Sequence, residues 1–369
     1  MPGIRTNVLH MEPYSPGKPI SEVQRELGLE HVVKLASNEN PLGPSPKAIA
    51  AVQRAAAHMH LYPDASGYEI RQAISHRFGI GDEHVLLGNG SDELIHLLGL
   101  LYLGDPGDQM IVGDPSFVRY DAAALLAPAE LIKVPLDADF RHDLNAMAKA
   151  ATEHTKLIFI ANPNNPTGTI VRKPDFERFL ADLPAQTTVV LDEAYYEFAA
   201  DVADYPVSID YVREGKPVIG LRTFSKTYGL AGIRIGYGFA SVEVVDAYHR
   251  AREPFNVNAL AQAAAIAALS DEDHIRATVE NNRRGMARMV AALTELGATP
   301  CESFGNFVFA DLHRPAQPVF RELLKRGVIV RSGDIFGTPT CIRVSVGTDD
   351  EVTAFVESIR AVMKEPASL

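Results

Sequence analysis

The chain has 369 residues, of which 46% are hydrophobic and 22% charged, and its formal net charge is −12. This composition is that of an ordinary globular protein, and at roughly 150 residues per domain the length predicts two domains. The acidic balance argues against nucleic-acid binding and against binding to an anionic membrane, because both require a basic face. It does not exclude an anionic substrate in a locally basic pocket.

The chain carries two cysteines, Cys301 and Cys341, which are too few for a disulfide framework. Residues 1–20 lack the apolar core and the cleavage site of a signal peptide. The longest apolar runs, such as 97–103, are far shorter than a membrane span. We therefore expect a cytoplasmic protein. The histidines match no ligand motif, so we expect no metal site.

The beginning of the chain is rich in proline and glycine and predicts an extended arm with one short helix at 20–27. A short strand is predicted at 32–35. The loop after it leads to Ser45 and Pro46, which have the pattern of an N-cap and a first helical residue. They predict a helix at 47–58.

Short apolar strands and helices then alternate. Strands are predicted at 85–87, 109–112, 157–161, 188–192, 218–221 and 236–240, and helices at 68–77, 91–101, 117–126 and 174–183. This alternation predicts an α/β fold with a mostly parallel sheet covered by helices on both faces. In such sheets ligands bind beyond the carboxyl ends of the strands.

The last part of the chain has a different pattern. A long helical stretch at 241–296, broken near Asn256, precedes strands at 307–311 and 341–347 and helices at 318–326 and 349–363. These elements predict a smaller α+β domain. We place the N-terminal arm at 1–30, the large domain at 31–270 and the small domain at 271–369.

The strongest motif is Thr223-Phe-Ser-Lys-Thr-Tyr-Gly, which directly follows the predicted strand at 218–221. A lysine held at a strand end in a semi-dry site has a lowered pKa, and its neutral amine becomes a nucleophile. Lys226 is therefore a candidate catalytic residue. The alternative is a surface lysine in a loop.

A second motif, Val189-Val-Leu-Asp-Glu-Ala-Tyr, ends an apolar strand in a carboxylate. A buried aspartate at a strand end requires a cationic or hydrogen-bonding partner, and a protonated pyridine nitrogen is one such partner. The alternative is that Asp192 only caps the following helix.

Two further loops also follow strand ends. Asn162-Pro-Asn-Asn-Pro-Thr-Gly is a rigid loop with amide donors, or else a plain turn. Gly88-Asn-Gly-Ser-Asp-Glu places glycines before a helix start, where backbone N–H groups and the helix dipole can receive phosphate. Alone, such a glycine loop is a weak signal. Together the four loops would supply an anion cradle, amide donors, an acid and a lysine at one sheet edge.

In this order, the four motifs resemble those of the fold-type I pyridoxal-phosphate enzymes. The resemblance covers nearly the whole chain and is strongest to the histidinol-phosphate aminotransferase family. The supporting stretches are Pro13-Tyr-Ser-Pro-Gly-Lys-Pro, Leu35-Ala-Ser-Asn-Glu-Asn-Pro-Leu-Gly-Pro-Ser, Tyr62-Pro-Asp, Val330-Arg-Ser and Ile342-Arg-Val-Ser-Val-Gly-Thr. Such a run of matches is specific for the class and less specific for the substrate.

The resemblance implies pyridoxal 5'-phosphate as the cofactor and a role for each matching residue. Lys226 would hold the cofactor covalently and then move the substrate proton. Asp192 would pair with the ring nitrogen. The remaining contacts would be Asn165 and Tyr195 to the phenolic oxygen, Phe117 stacked on the ring, and Ser91, Asp92, Thr223, Ser225 and Arg234 around the phosphate. Tyr62 would reach the phosphate in the partner subunit, which requires a homodimer.

The resemblance also implies the substrate contacts. Arg343 and Arg331 would bind the anionic end of the substrate, because the planar guanidinium matches phosphate or carboxylate. For Arg331 a surface arginine is the alternative. Tyr14 and Asn38 would line the substrate pocket.

The implied reaction is transamination between glutamate/2-oxoglutarate and histidinol phosphate/imidazole acetol phosphate, in histidine biosynthesis. One alternative is an aromatic-amino-acid aminotransferase acting on phenylalanine or tyrosine. A second is a pyridoxal-phosphate lyase, such as a decarboxylase of a phosphorylated amino acid, which could use the same lysine and arginines.

Overall fold

A computed structural model describes residues 3–9, 11, 13, 17–127 and 129–364 of the chain. The strands are β1 Val33–Lys34, β2 Val85–Gly88, β3 Gln109–Asp114, β4 Glu130–Pro135, β5 Thr155–Ala161, β6 Thr188–Asp192, β7 Val218–Thr223, β8 Gly236–Phe239, β9 Thr299–Pro300, β10 Phe307–Asp311, β11 Val328–Ile329, β12 Arg331–Ser332 and β13 Cys341–Ser345.

The α-helices frame these strands. They are α1 Thr6–Leu9, α2 Ile20–Leu27, α3 Pro46–Ala56, α4 Tyr68–Phe78, α5 Ser91–Tyr102, α6 Arg119–Leu126, α7 Leu144–Ala150, α8 Lys173–Asp182, α9 Tyr196–Ala199, α10 Ser208–Arg213, α11 Val242–Ala251, α12 Ala259–Leu269, α13 Glu272–Glu295, α14 Ala316–Lys325 and α15 Asp349–Lys364. None of the helices in the described ranges is both long enough and apolar enough to span a membrane.

The main sheet has seven strands in the order β2-β8-β7-β6-β5-β3-β4. All neighbouring pairs are parallel except the two that involve β8, which is antiparallel to both β2 and β7. The predicted mostly parallel sheet is therefore confirmed. Because the other six strands share one direction, their carboxyl ends meet along one edge of the sheet.

Both faces of this sheet are buried, as the unbroken apolar strands predicted. Along β5, Phe159 packs on one side with Tyr120, and its neighbour Ile158 packs on the other side with Phe176. Side chains of consecutive strand residues point to opposite faces, so each strand contributes to both layers of the core. The parallel strands are thus held rigidly, and so are the loops that leave their ends.

The C-terminal part forms a second, antiparallel sheet in the order β12-β13-β10-β9. Its core contains residues of α13, α14 and α15, and it also takes in Leu35 from the beginning of the chain. Strand β1 pairs in parallel with β11, which ties the first loop to this part of the fold. In the β12–β13 pair, Arg331 lies directly opposite Arg343.

The helical stretch at 241–296 is interrupted twice, although only the break near Asn256 was predicted. Asn258 caps α12, because its side chain accepts a hydrogen bond from the Ala261 amide. The second break, at Ser270 and Asp271, separates α12 from α13 and was missed. No proline or glycine marks it, and the available signal was a helix start: Asp271 at the N-cap, with Glu272 and Asp273 in the first turn of α13.

Candidate active site

Four loops that leave the carboxyl ends of β2, β5, β6 and β7 line one cavity of about 250 Å³. Ten of the eleven predicted cofactor-binding residues line it: Ser91, Asp92, Phe117, Asn165, Asp192, Tyr195, Thr223, Ser225, Lys226 and Arg234. These residues are far apart in sequence, and the sheet brings them together.

The anion cradle lies at the N-terminus of α5, where two glycines allow a close approach. A Cβ on Gly90 would lie 2.6 Å from Nη2 of Arg234, and a Cβ on Gly236 would lie 2.4 Å from the amide nitrogen of Ser91. Gly90 also has a φ of 80°. The guanidinium of Arg234 lies 3.4 Å from the Asp92 carboxylate. A helix N-terminus and a guanidinium thus converge on a space shaped for an anion.

The acid of the site, Asp192, is 4% exposed. Tyr120 donates a hydrogen bond to its Oδ2 at 2.8 Å, and the Ala194 amide donates to its Oδ1 at 3.1 Å. Burial raises the pKa of Asp192 to about 6, although these two hydrogen bonds act in the opposite direction. Such a dry carboxylate is stabilised as the anion by a cationic N–H partner, and the ring nitrogen of a protonated pyridine is one.

Tyr195 and Lys226 lie beside this acid. The amine of Lys226 lies 5.6 Å from the centre of the Tyr195 ring. Asn38 donates a hydrogen bond to the Tyr195 hydroxyl at 2.9 Å and accepts one from Ser345 at 2.8 Å. Asn38 is 1% exposed, so it supports Tyr195 from behind. Burial also raises the pKa of Tyr195.

A second cavity of about 440 Å³ adjoins the first and shares Phe117, Tyr120 and Asn165 with it. Both predicted substrate arginines, Arg331 and Arg343, line this second cavity. Arg343 is 6% exposed. It donates to the Asn165 oxygen at 2.5 Å and to the Ala36 carbonyl at 2.8 Å. The side-chain amide of Asn165 therefore connects the arginine-lined end of the second cavity with the first cavity.

Two predicted residues in the described part of the chain line neither cavity. Asn38, which was expected to line the substrate pocket, is buried behind Tyr195 instead. Tyr62 is 83% exposed, and its ring stacks on Phe255 with centroids 4.7 Å apart. It therefore lies on the surface of its own chain. Tyr14 falls outside the described residues.

Tyr120, which lines both cavities and donates a hydrogen bond to Asp192, was not predicted from the sequence. Its ring packs edge-on against Phe117, with centroids 5.6 Å apart. The available signal was its position three residues after Phe117, which at helical spacing places both on one face.

The arrangement defines a class of protein: a lysine, a buried acid and an anion cradle line one cavity, next to a second cavity with paired arginines. Such a site suits an enzyme that uses a phosphorylated ring cofactor on an anionic amine. Residues 30–359 match the family model described as aminotransferase class I and II.

Relatives of known name agree with this match. The chain is 48% identical to the histidinol-phosphate aminotransferase of Moorella thermoacetica over 364 residues, which cover 98% of this chain and 94% of that one. It is 46% identical to the enzyme of the same name from Symbiobacterium thermophilum, over 99% of this chain and 100% of that one. The chain therefore belongs to the class I and II aminotransferase family.

Among solved structures, the histidinol-phosphate aminotransferase of Sinorhizobium meliloti in complex with pyridoxal-5'-phosphate is similar over 99% of this chain and 98% of that one. The TM-score is 0.90 and the sequence identity 26%. The predicted fold class, a fold-type I α/β structure with a second α+β part, is confirmed.

Proposed function

We propose that the chain catalyses transamination between histidinol phosphate/imidazole acetol phosphate and glutamate/2-oxoglutarate, a step of histidine biosynthesis, with pyridoxal 5'-phosphate as cofactor. The names of its relatives and the cofactor complex of one structural neighbour support this proposal. The observation that carries it is the pair of adjoining cavities, one lined by Lys226 and Asp192 and the other by Arg331 and Arg343.

The residues of the first cavity fit the cofactor. The buried carboxylate of Asp192 suits a protonated ring nitrogen, and the Gly90 cradle suits a phosphate. Asn165 and Tyr195 would hold the phenolic oxygen, and Phe117 would cover one face of the ring. When bound, pyridoxal phosphate supplies an electron sink for the bonds of the substrate α-carbon.

Lys226 performs the proton transfer in this proposal. Its amine would hold the cofactor in the resting enzyme until an amino substrate takes its place. The free Nζ would then be the general base that accepts the proton from the substrate α-carbon and holds it for return. The second half-reaction runs in reverse with the other substrate, so we expect ping-pong kinetics.

The arginine pair selects an anionic substrate. Arg331 and Arg343 are direct partners in two adjacent antiparallel strands, so both guanidinium groups can point at one anionic group. Phe117, Val118 and Phe336 line the same cavity and offer an apolar wall to a ring. A phosphate at one end and a flat ring beside an apolar wall match histidinol phosphate.

We also propose a cytoplasmic homodimer. Tyr62 is 83% exposed in its own chain, and its aromatic neighbour Phe255 is also exposed. This position supports a contact with the cofactor phosphate of the partner subunit. Cys301 and Cys341 are free thiols, which suits a reducing compartment. Within each chain we propose an arm at 1–30, a large domain at 31–270 and a small domain at 271–369.

The substrate assay compares kcat/KM for histidinol phosphate with that for phenylalanine, using 2-oxoglutarate as acceptor. We expect a clear preference for histidinol phosphate. A preference for phenylalanine would instead establish an aromatic aminotransferase, and carbon dioxide release without oxo product would establish a decarboxylase.

The cofactor assay uses the visible absorbance of the purified enzyme, which should change when glutamate is added. We expect Lys226→Ala to lose the absorbance of the covalently held cofactor. Lys325→Ala is the control, because Lys325 is a surface residue paired with Glu322 at 2.7 Å. An unchanged spectrum in Lys226→Ala would refute its role.

A further inference from the structure

Two acidic residues follow each other at the end of β6 and have different partners. Asp192 bonds Tyr120 in the cofactor cavity. Glu193 has a side chain that is 0% exposed and pairs with Arg222, which is 1% exposed, at 2.8 Å. Consecutive side chains of an extended segment point to opposite sides, so the two carboxylates serve different environments.

Glu193 is held by a complete set of donors. Besides Arg222, it accepts hydrogen bonds from the Ser208 hydroxyl at 2.6 Å and the Ser208 amide at 2.8 Å. Its own amide donates to the Leu221 carbonyl at 2.8 Å. A Cβ on Gly220 would lie 2.0 Å from the Ser208 hydroxyl, so the glycine allows α10 to approach the sheet. The network joins the ends of β6 and β7 to the start of α10.

The guanidinium of Arg222 is surrounded by aromatic rings. Its central carbon lies 3.5 Å from the ring centre of Tyr196, 4.8 Å from that of Phe78 and 5.4 Å from that of Phe239. A desolvated arginine gains from such ring faces. Arg222 is therefore held by the hydrogen bond from its Nε to Glu193 and by packing against these rings.

We propose that Arg222 and Glu193 are positioning residues of the cofactor site, which hold the loop of the acid and the loop of the lysine at a fixed separation. This inference rests on the proposed function. Arg222 directly precedes Thr223 and the segment that carries Lys226, and Glu193 directly follows Asp192. Asp192 and Lys226 would bind opposite ends of one rigid ring. The distance between their two loops therefore decides whether both contacts can form at the same time.

The charge of the pair has a second effect. Arg222 neutralises Glu193, so the adjacent Asp192 is the acid left to pair with a cationic ring nitrogen. The buried carboxylate of Glu197 also faces Arg222: burial raises the pKa of Glu197, and the charge of Arg222 acts in the opposite direction.

The test uses the enzyme loaded with pyridoxal phosphate and a double variant, Arg222→Met with Glu193→Gln. Removing one partner of a buried ion pair leaves an uncompensated charge and is strongly destabilising, so both residues are changed together. We expect the double variant to bind the cofactor about tenfold more weakly, as for other residues that orient the groups of a site. The pH midpoint of the visible absorbance should move, and kcat should fall more than KM rises. Arg222→Lys, which keeps the charge, should recover part of each effect.

Phe176→Leu is the control for loss of stability alone, because Phe176 is a buried residue of α8 and packs in the core on the other face of the sheet from Tyr120. It should lower the melting temperature and leave the absorbance midpoint unchanged. A double variant with wild-type cofactor affinity and an unchanged midpoint would overturn the positioning role.

If the double variant fails to fold, Ser208→Ala tests the positioning role instead. This substitution removes one hydrogen-bond donor to Glu193 and leaves the ion pair with Arg222 in place. We expect a smaller shift of the midpoint in the same direction, and no shift in the folded Ser208→Ala enzyme overturns the inference. A wild-type enzyme without cofactor absorbance would refute the proposed function and this inference with it. Normal absorbance in the wild type, with no response in these variants, refutes the inference alone.

Discussion

Asp192 gives the cofactor-free chain a pH dependence opposite to that of most carboxylates. Burial raises its pKa from 3.8 to about 6. The folded chain therefore holds this proton more tightly than the unfolded chain does. The resulting stabilisation is complete below pH 3.8 and is lost as the pH rises through 6. The interval between the two pKa values corresponds to about 3 kcal/mol of unfolding free energy.

Asp192→Asn removes this titration and keeps the shape of the side chain. At each pH the quantity of interest is the unfolding free energy of the wild type minus that of the variant. We expect this difference to fall by up to about 3 kcal/mol between pH 4 and pH 7. Urea unfolding of both cofactor-free proteins at each pH measures it, and the comparison cancels the other titrating groups. A difference that stays flat across this range would refute the dry environment of Asp192.

The cofactor should reverse this trend. In the proposed complex a protonated ring nitrogen would pair with the ionised carboxylate of Asp192, so the loaded enzyme would no longer favour the neutral acid. We therefore expect the stabilisation by cofactor to grow as the pH rises from 4 to 6, and to lose this dependence in Asp192→Asn.

Tyr120→Phe removes the donor that lies 2.8 Å from Asp192, and we expect the cofactor Kd to rise about tenfold in a fluorescence titration. An unchanged Kd would mean that this hydrogen bond does not support the acid. Arg343→Lys keeps the charge but loses the planar fork that meets Asn165, so kcat/KM for histidinol phosphate should fall about 100-fold in steady-state assays. A fall below threefold would contradict the role of the fork. Burial lowers the pKa of His142 from 6.5 to about 4, so the folded chain should lose stability as the pH falls from 6.5 to 4. Thermal unfolding of His142→Gln should lack that loss, and a parallel decline in both proteins would contradict it.

Much of the site was predictable because its parts have local signatures. Strands β5, β6 and β7 are short apolar runs that end in polar residues, and parallel strands collect such ends along one edge. The sequence alone therefore predicts that Lys226 and Asp192 lie at the same edge of the sheet. The lysine by itself was compatible with a surface loop.

Other features depend on contacts that a linear pattern does not contain. Strand β4 was missed because it is a half-exposed edge strand whose burial does not alternate. The spacing of Tyr120 from Phe117 places it on the same helix face, but its bond to Asp192 joins two elements that the sequence does not show to be in contact. The support of Tyr195 by Asn38 joins residues 157 positions apart. The proposed contact of Tyr62 requires a second chain.

The cofactor cavity is lined by the loops that follow β2, β5, β6 and β7 of one sheet, and by Ser37 and Glu39, which follow β1 of another. A partly folded chain therefore has no site, and only the completed topology can retain the cofactor. A ligand that binds only the native state at 100 times its Kd adds about 2.7 kcal/mol to stability. In a cell, the supply of this vitamin-derived compound would then govern how much of the newly made chain escapes proteolysis.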